Sequence, residues 1–378
     1  MKKLIALLLA LVMVLGMVAC GAPKEEAAPE AEAAPETEAA PEVATEANAE
    51  TTPDEIVKTD EISSDEKAAA LGIPAAVKLQ DTTALEGKKI GCSIVYKGDE
   101  WCAGVANALE ALGKYYGADL TCEDGDLNPE TQTKQIENML ANGCELLMID
   151  PATPDGCSIA LNKAVDAGIP VIIYDGYWDE GVEKAETTVT WDQHETGVLV
   201  GEYFVEYIKA NCDGKARVVE LTNAISTHCQ ERFVGLHEVI DKANAEGCEI
   251  TIVGERYDSE GNREKAYNAI SAVVEPYDFV ISDVDNGAMG AVSALQALGK
   301  TDVKVLSMGA YGKEPFSKLY NNDPNYLACL NVDAWVLAQW IVDGAINYFN
   351  GVENPVQTNI ALYMVDNSNV TDFWSDFE

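Results

Sequence analysis

Ile159–Ala167, then Gly168-Ile169-Pro170, then Val171-Ile172-Ile173-Tyr174-Asp175, forms one repeating unit of this chain. The first part is apolar at helical spacing, and the second is a short run fit for a buried strand. The unit ends on a carboxylate. Outward from it the same unit recurs. Strands are expected at Ile90–Tyr96, Leu120–Cys122, Leu146–Ile149, Val171–Tyr174 and Thr187–Trp191, with helices over Val105–Leu112, Thr133–Leu140 and Ile159–Ala167. After a helix near Thr196–Lys209 the pattern restarts with strands Ala216–Leu221, Ile250–Val253, Phe279–Ser282 and Val303–Ser307. Helices near Phe233–Ala243, Lys265–Val274 and Ala288–Leu298 lie between them. Leu327–Val332, a helix Ala334–Phe349 and a strand Ala361–Val365 end the chain. Alternation of this kind builds parallel sheets from βαβ units. The fold class is α/β, two doubly wound parallel-sheet lobes.

The chain has 378 residues and a formal charge of −39. Such an acidic chain repels nucleic-acid phosphates and anionic headgroups, so neither is an expected partner. The charge is unevenly placed. Met1-Lys2-Lys3 and the apolar run Ile5–Val18 read as a secretory signal too short to span a bilayer. Residues 22–66 carry fifteen acids against Lys24 and Lys58, with recurring Ala-Ala-Pro-Glu, and read as an extended, self-repelling tether. Nine further cysteines lie in the body without C-x-x-C spacing, and buried free thiols are the expected state.

Ligands of open parallel sheets gather at the carboxyl ends of strands. Those ends hold Gly98-Asp99-Glu100-Trp101, Asp124-Gly125-Asp126, Asp150, Asp175-Gly176-Tyr177-Trp178, Trp191-Asp192, Asn223, Asp258, Asp283-Val284-Asp285-Asn286 and Met308-Gly309-Ala310-Tyr311. Carboxylates for hydroxyl edges and aromatic rings for C–H faces suit a polyhydroxylated ligand. G-x-S-x-G, G-x-x-x-x-G-K-[ST], H-E-x-x-H and a strand-borne G-x-G-x-x-G are all missing, so no catalytic residue, metal or cofactor is assigned. His194, His228 and His237 share no ligand spacing and read as surface and capping residues. Asp124-x-Asp126-x-Asn128-x-Glu130 alternates oxygens as a calcium loop does, but it lacks the central glycine and reads better as a helix start.

Several segments together resemble the ribose-type periplasmic sugar-binding proteins, whose domain is shared with LacI-type repressors. Gly125-Asp126-Leu127-Asn128-Pro129-Glu130-Thr131-Gln132 is similar to that family's turn into its second helix. Asp150-Pro151-Ala152 with Ala167–Asp175, Glu231-Arg232-x-x-Gly235 and Asp283–Ala291 resemble three further family segments, and the likeness runs from about Lys89 to Asn350. Met17-Val18-Ala19-Cys20 resembles the lipobox of bacterial lipoproteins, which implies lipid attachment at Cys20. The resemblance implies ligand roles for Asp175, Arg232, Trp101, Asp283 and Asn331, with Tyr177 and Trp191 as further rings. It departs at Gly98–Trp101, at Gly176 where the family often has Arg, and at Met308-Gly309 where a Phe-Asp pair is usual, so a plain aldose is not implied.

The implied organisation is a signal peptide over 1–20 and a tether over 21–85. An N-terminal lobe spans 86–192 and 310–331, and a C-terminal lobe spans 193–309 and 332–378, with hinge strands near Asp192–Thr196, Gly309–Lys313 and Val332–Ala334. The implied function is a monomeric, lipid-anchored, extracytoplasmic binding protein. It would capture a sugar or polyol and deliver it to an ABC permease and its ATPase. The alternatives are a sensor serving a chemoreceptor or histidine kinase, and a surface enzyme on the same fold.

Overall fold

Four-residue strands buried along their whole length require cover on both sheet faces. Leu146–Ile149, Val171–Tyr174 and Phe279–Ser282 are such strands. The computed structural model describes residues 66–178, 181 and 184–374; the signal, Cys20 and the tether to residue 65 lie outside the described residues. In chain order the first elements are α1 (Glu66–Ala70), β1 (Lys89–Ile94), α2 (Glu100–Tyr116), β2 (Asp119–Asp124), α3 (Pro129–Ala141), β3 (Leu146–Ile149), α4 (Ser158–Asp166), β4 (Val171–Tyr174) and β5 (Thr187–Thr190). Next come α5 (Gln193–Asn211), β6 (Lys215–Thr222), α6 (Thr227–Ala245), β7 (Glu249–Ile252), β8 (Tyr257–Asp258), α7 (Arg263–Ala272), β9 (Phe279–Ser282), α8 (Asp285–Leu298), β10 (Lys304–Ala310), α9 (Lys313–Tyr320) and β11 (Tyr326–Asn331). Last are α10 (Ala334–Asn350), β12 (Gln357–Asn359) and β13 (Tyr363–Asp366).

Two sheets result. The first runs β12-β5-β4-β3-β1-β2 and the second β13-β11-β10-β9-β6-β7, with β8 on β6; β13 is the antiparallel edge. Successive residues of β3 serve opposite faces: Leu146 and Met148 pack in one core cluster, Leu147 and Ile149 in another. Strand order reverses beside β1 and beside β6, which opens a crevice at the carboxyl ends of β1/β3 and of β6/β9. The helices start where a side chain accepts backbone N–H groups, as Asp99, Asn128, Asp192, Ser226, Asn262 and Asp333 all do.

The lobe boundaries expected from sequence order are corrected by this pairing. Residues 310–331 belong to the second lobe, because β11 lies between β10 and β13. Residues 334–359 belong to the first, because β12 extends the sheet from β5 and α10 packs on α2. The chain therefore crosses between lobes at 191–192, 332–333 and 360–362, and Gly309–Lys313 is no crossing. The expected tether is also too long: Ala68, Ile73, Val77 and Leu85 are buried in the core. All nine described cysteines are free thiols, with Cys212 and Cys248 half-buried and the rest buried. Among the described residues no helix is long and apolar enough to cross a membrane.

Candidate functional site

The motif residues first build the scaffold of the crevice. Asn128 Oδ1 accepts from the N–H of Glu130 and Thr131 and so starts α3. One turn on, the fully buried Gln132 donates to the Asp150 carbonyl at 2.7 Å and to Ser93 Oγ at 3.2 Å, and accepts from Ala152 N at 2.7 Å. It thereby pins the ends of β1 and β3 to each other. Asp124 Oδ1 takes the N–H of Lys97 and Asp126. Asp124 and Asn128 of the calcium-like loop thus serve backbone donors. Among the described residues no group of three or more His, Cys, Asp or Glu is placed to hold a metal.

Asp175 stands just past β4 with φ 55°, a left-handed conformation that few residues other than glycine, asparagine and aspartate tolerate. Its N–H reaches the Val189 carbonyl at 3.1 Å and its own carbonyl accepts from Thr190 Oγ1 at 3.1 Å, which holds the strained turn between β4 and β5. Part of the residue is exposed while protein surrounds the carboxyl group. Burial pushes this carboxyl up to about 6, with Arg232 opposing the shift and Asp99 adding to it.

The second lobe contributes Arg232, buried on α6. Its Nε donates to Gln193 Oε1 at 2.8 Å, and its Nη1 donates to the carbonyls of Asp283 at 2.6 Å and Met308 at 3.3 Å. The guanidinium lies 5.9 Å from the Trp191 ring, whose edge contact with Trp101 has centroids 5.5 Å apart. Trp101 Nε1 donates to the Val332 carbonyl at 2.7 Å, on the second crossing. Asn331 directly precedes that crossing. Asp283 is wholly buried; its Oδ2 accepts from Asn223 N at 2.5 Å. One connected patch therefore holds Trp101, Trp191, Arg232 and Asp283.

Five buried polar atoms of this region have no partner in the protein: Trp191 Nε1, Gln193 Nε2, Asn223 Oδ1, Asp283 Oδ1 and Asn331 Oδ1. A buried polar group left unsatisfied costs about 1–3 kcal/mol, so their shared location calls for a polar occupant.

The lobes touch across the crevice. Asn286 Nδ2 donates to Asp99 Oδ2 at 2.9 Å, and Tyr177 packs edge-on against His228 with centroids 4.6 Å apart. His228 corrects the reading of the histidines as surface and capping residues: burial and Arg232 push it down to about 4, a neutral ring at the mouth of the crevice. His194 and His237 meet Glu238 and Glu220 outside it. Of the other aromatic residues, Trp178 is core, donating to Ser158 Oγ at 3.0 Å, and Tyr311 lies against Trp374. Gln193 escaped the sequence reading, and Asn223 stood among the strand-end residues without being singled out as a ligand. Gln193 opens a helix, and Asn223 ends a strand without any distinguishing spacing.

Contact brings like charges together. Asp285, at the start of α8, is pushed up to about 7 by burial and by Asp99 and Glu100 of α2, against the opposing Arg263 of α7. The folded pKa values of Asp285 and Asp175 lie above the unfolded range, so their protonated forms favour the folded structure over the unfolded chain. That contribution is complete below about pH 4 and is lost as pH rises through about 6 and 7. Thermal melting from pH 5 to 8 should show wild-type stability falling more steeply than that of Asp285→Asn. Parallel curves would contradict the assignment.

A family model described as a periplasmic binding protein domain matches residues 90–353. A protein of Rhizobium meliloti ascribed to rhizopine binding is 27% identical over 245 residues, 62% of this chain and 75% of that protein. The ribose import binding protein of Bacillus subtilis is 24% identical over 221 residues, 57% of this chain and 68% of that protein. Among solved structures, an ABC transporter solute-binding protein of Bacillus halodurans with bound myo-inositol aligns at a TM-score of 0.67 and 20% identity, covering 76% of this chain and 97% of that one. A counterpart from Actinobacillus succinogenes with bound D-allose aligns at 0.68 and 20%, covering 76% and 100%. At such identities the structural likeness is one of fold.

Proposed function

This chain belongs to the periplasmic binding protein family, and from that premise we propose that it captures a sugar or polyol between its lobes for an ABC importer. The carrying observation is the set of five unpartnered buried polar atoms beside two indole rings and a buried arginine. Hydroxyl groups both donate and accept, so one polyhydroxylated ring can meet indole and amide N–H groups and carboxylate oxygens together. Charge-assisted hydrogen bonds contribute about 1.5–3 kcal/mol each. A few of them, less the ordering cost, reach the roughly −8 kcal/mol of micromolar affinity. The names of the relatives, with ribose among their ligands, and the myo-inositol and D-allose held by the neighbours support this class.

Closure supplies the mechanism. Trp101 and Asp175 come from the first lobe and Arg232, Asp283 and Asn331 from the second, so only the closed form gives a ligand both sets of contacts. The permease would read that closed form. In this reading Cys20 carries the lipid anchor, and the acidic segment holds a monomeric clamp away from the membrane; release of Cys20→Ser from cell membranes tests the anchor.

A panel of sugars and polyols screened by melting shift tests the function. A hundredfold excess of ligand over Kd stabilises by about 2.7 kcal/mol. Conversion of a panel member to product would overturn the reading in favour of an enzyme. Trp101→Ala removes an indole and its bond to the hinge carbonyl, and should weaken the identified ligand about 10- to 100-fold, or 1.4–2.7 kcal/mol. Unchanged affinity by calorimetry would remove Trp101 from the site.

A further inference from the structure

We propose that the captured polyol carries a protonated amine, making the ligand an amino sugar or amino-polyol. The inference rests on the polyol-binding reading above and names the ligand class of that same site.

Charge balance is the starting point. Asp175 and Asp283 lie within the electrostatic reach of Arg232, so two carboxyl groups meet one guanidinium before the neighbouring Asp99 and Asp285 are counted. Arg232 is also committed to the protein, with three acceptors in Gln193 and the carbonyls of Asp283 and Met308. Other cations nearby are engaged elsewhere: Arg263 with Glu314 at 2.6 Å and Asn286 at 3.0 Å, Lys97 with Glu110 at 3.4 Å.

Packing against Pro151 closes one place where a second basic side chain could stand. A Cβ at Gly176, directly after Asp175, would meet Pro151 Cδ at 2.9 Å and the Pro151 carbonyl at 3.1 Å. The acidic surplus is therefore built into the walls of the crevice.

Asp283 Oδ1 gives that surplus an address. It belongs to a side chain with no exposed surface and makes no well-formed hydrogen bond in the protein, its carboxyl group being faced by the Cys229 thiol of α6 and the Thr222 hydroxyl of β6 as well as by Arg232. The amide of Asn223 stands beside it, with its own Oδ1 equally unpartnered. A hydroxyl can donate to such a carboxylate but leaves its charge uncompensated. An ammonium offers three donors and cancels the charge at the same time.

The choice has a distinct signature in pH. Burial holds the carboxyl groups of Asp175 and Asp283 above their ordinary range, so near pH 6 protons still occupy the site in part. A cationic ligand expels those protons, and its affinity should rise with pH, up to tenfold per unit for each proton released. A neutral polyol gains only a stronger hydrogen bond to the ionised carboxylate, so its affinity should rise less with pH than that of the amine.

Matched pairs test the inference by titration calorimetry: scyllo-inosamine against scyllo-inositol, glucosamine against glucose, and galactosamine against galactose, each with its N-acetyl form. The amine of at least one pair should bind tenfold or more tightly than its neutral partner and lose that advantage on N-acetylation. Its affinity should climb between pH 5.5 and 7.5. Asp283→Asn should collapse the ratio within the pair and flatten the pH profile; should that variant fail to fold, the wild-type profile and the N-acetyl comparison decide alone. Tighter binding of the neutral partner across the pairs would overturn the amine while leaving the polyol reading intact. Failure of every amine, neutral and N-acetyl compound to bind would overturn both.

Discussion

Arg232→Ala is expected to abolish ligand binding and to lower the stability of the whole clamp. The arginine is 6% exposed, and it closes three hydrogen bonds among α5, β9 and β10. Its removal strands the carbonyls of Asp283 and Met308 and leaves the buried carboxyl groups of Asp175 and Asp283 without the charge that offsets them. Breaking a buried charge arrangement by deleting one partner costs about 3–5 kcal/mol. For a lobe of about 150 residues each kcal/mol lowers the melting temperature by about 2–4 °C. Affinity should fall at least about 100-fold, equivalent to 2.7 kcal/mol, since Gln193 and Asp283 lose their positioning with the arginine. Arg232→Lys should recover part of the stability and little of the binding, because an ammonium lacks the planar fork that reaches Gln193 and two carbonyls together. A melting curve within 2 °C of wild type, or an unchanged calorimetric titration, would sink this account.

Much of this architecture was legible in the sequence because buried parallel strands announce themselves. Leu146–Ile149, Val171–Tyr174 and Phe279–Ser282 are apolar runs with helical periodicity on either side, and the structure places them where the pattern does. The path of the chain between lobes was not legible. Gln357-Thr358-Asn359 is a polar triplet with no alternation, yet it pairs with β5 and draws α10 into the first lobe. Which sheet a strand joins is decided by tertiary pairing that leaves no local mark on strands such as β11. Pro315 and its short span hid α9, whose first residue, Lys313, closes a segment expected to be hinge. Ile73, Val77 and Leu85, thinly spread through a polar stretch, hid the docking of residues 66–85.

The candidate site divides in the same way. Asp175, Trp191 and Asp283 follow strands directly, so the rule that ligands gather at strand ends finds them. Gln193 and His228 sit in the first turns of α5 and α6, where their residue types are ordinary. Only the packing of α5 on α6 turns Gln193 toward Arg232, and only contact between lobes sets His228 against Tyr177.

That packing of α5 on α6 yields the second large effect: Gly197→Ala should disable the site without touching a ligand. The two helices cross so closely that a Cβ at Gly197 would stand 1.7 Å from the Arg232 carbonyl oxygen and 2.7 Å from Leu236 N. Gly235 reciprocates, its Cβ falling 2.1 Å from the His194 carbonyl oxygen. Both obstacles are backbone, so no rotamer change relieves them, and the helices must separate by more than 1 Å. Alanine's better helix propensity returns at most about 1 kcal/mol. Overpacking typically costs about 1–3 kcal/mol and more where backbone must move. The displacement falls between Gln193 on α5 and Arg232 on α6, whose bond of 2.8 Å cannot survive such a shift. Gly197→Ala should therefore melt several degrees lower, about 2–8 °C for a net loss of about 1–2 kcal/mol, and bind the identified ligand tenfold or more weakly. Gly201→Ala is the graded comparison: its Cβ would meet only the Val239 side chain, at 2.9 Å, and a smaller loss is expected. If Gly197→Ala melted and bound like wild type while Gly201→Ala did not, the glycine contact would not be what sets Arg232 in place.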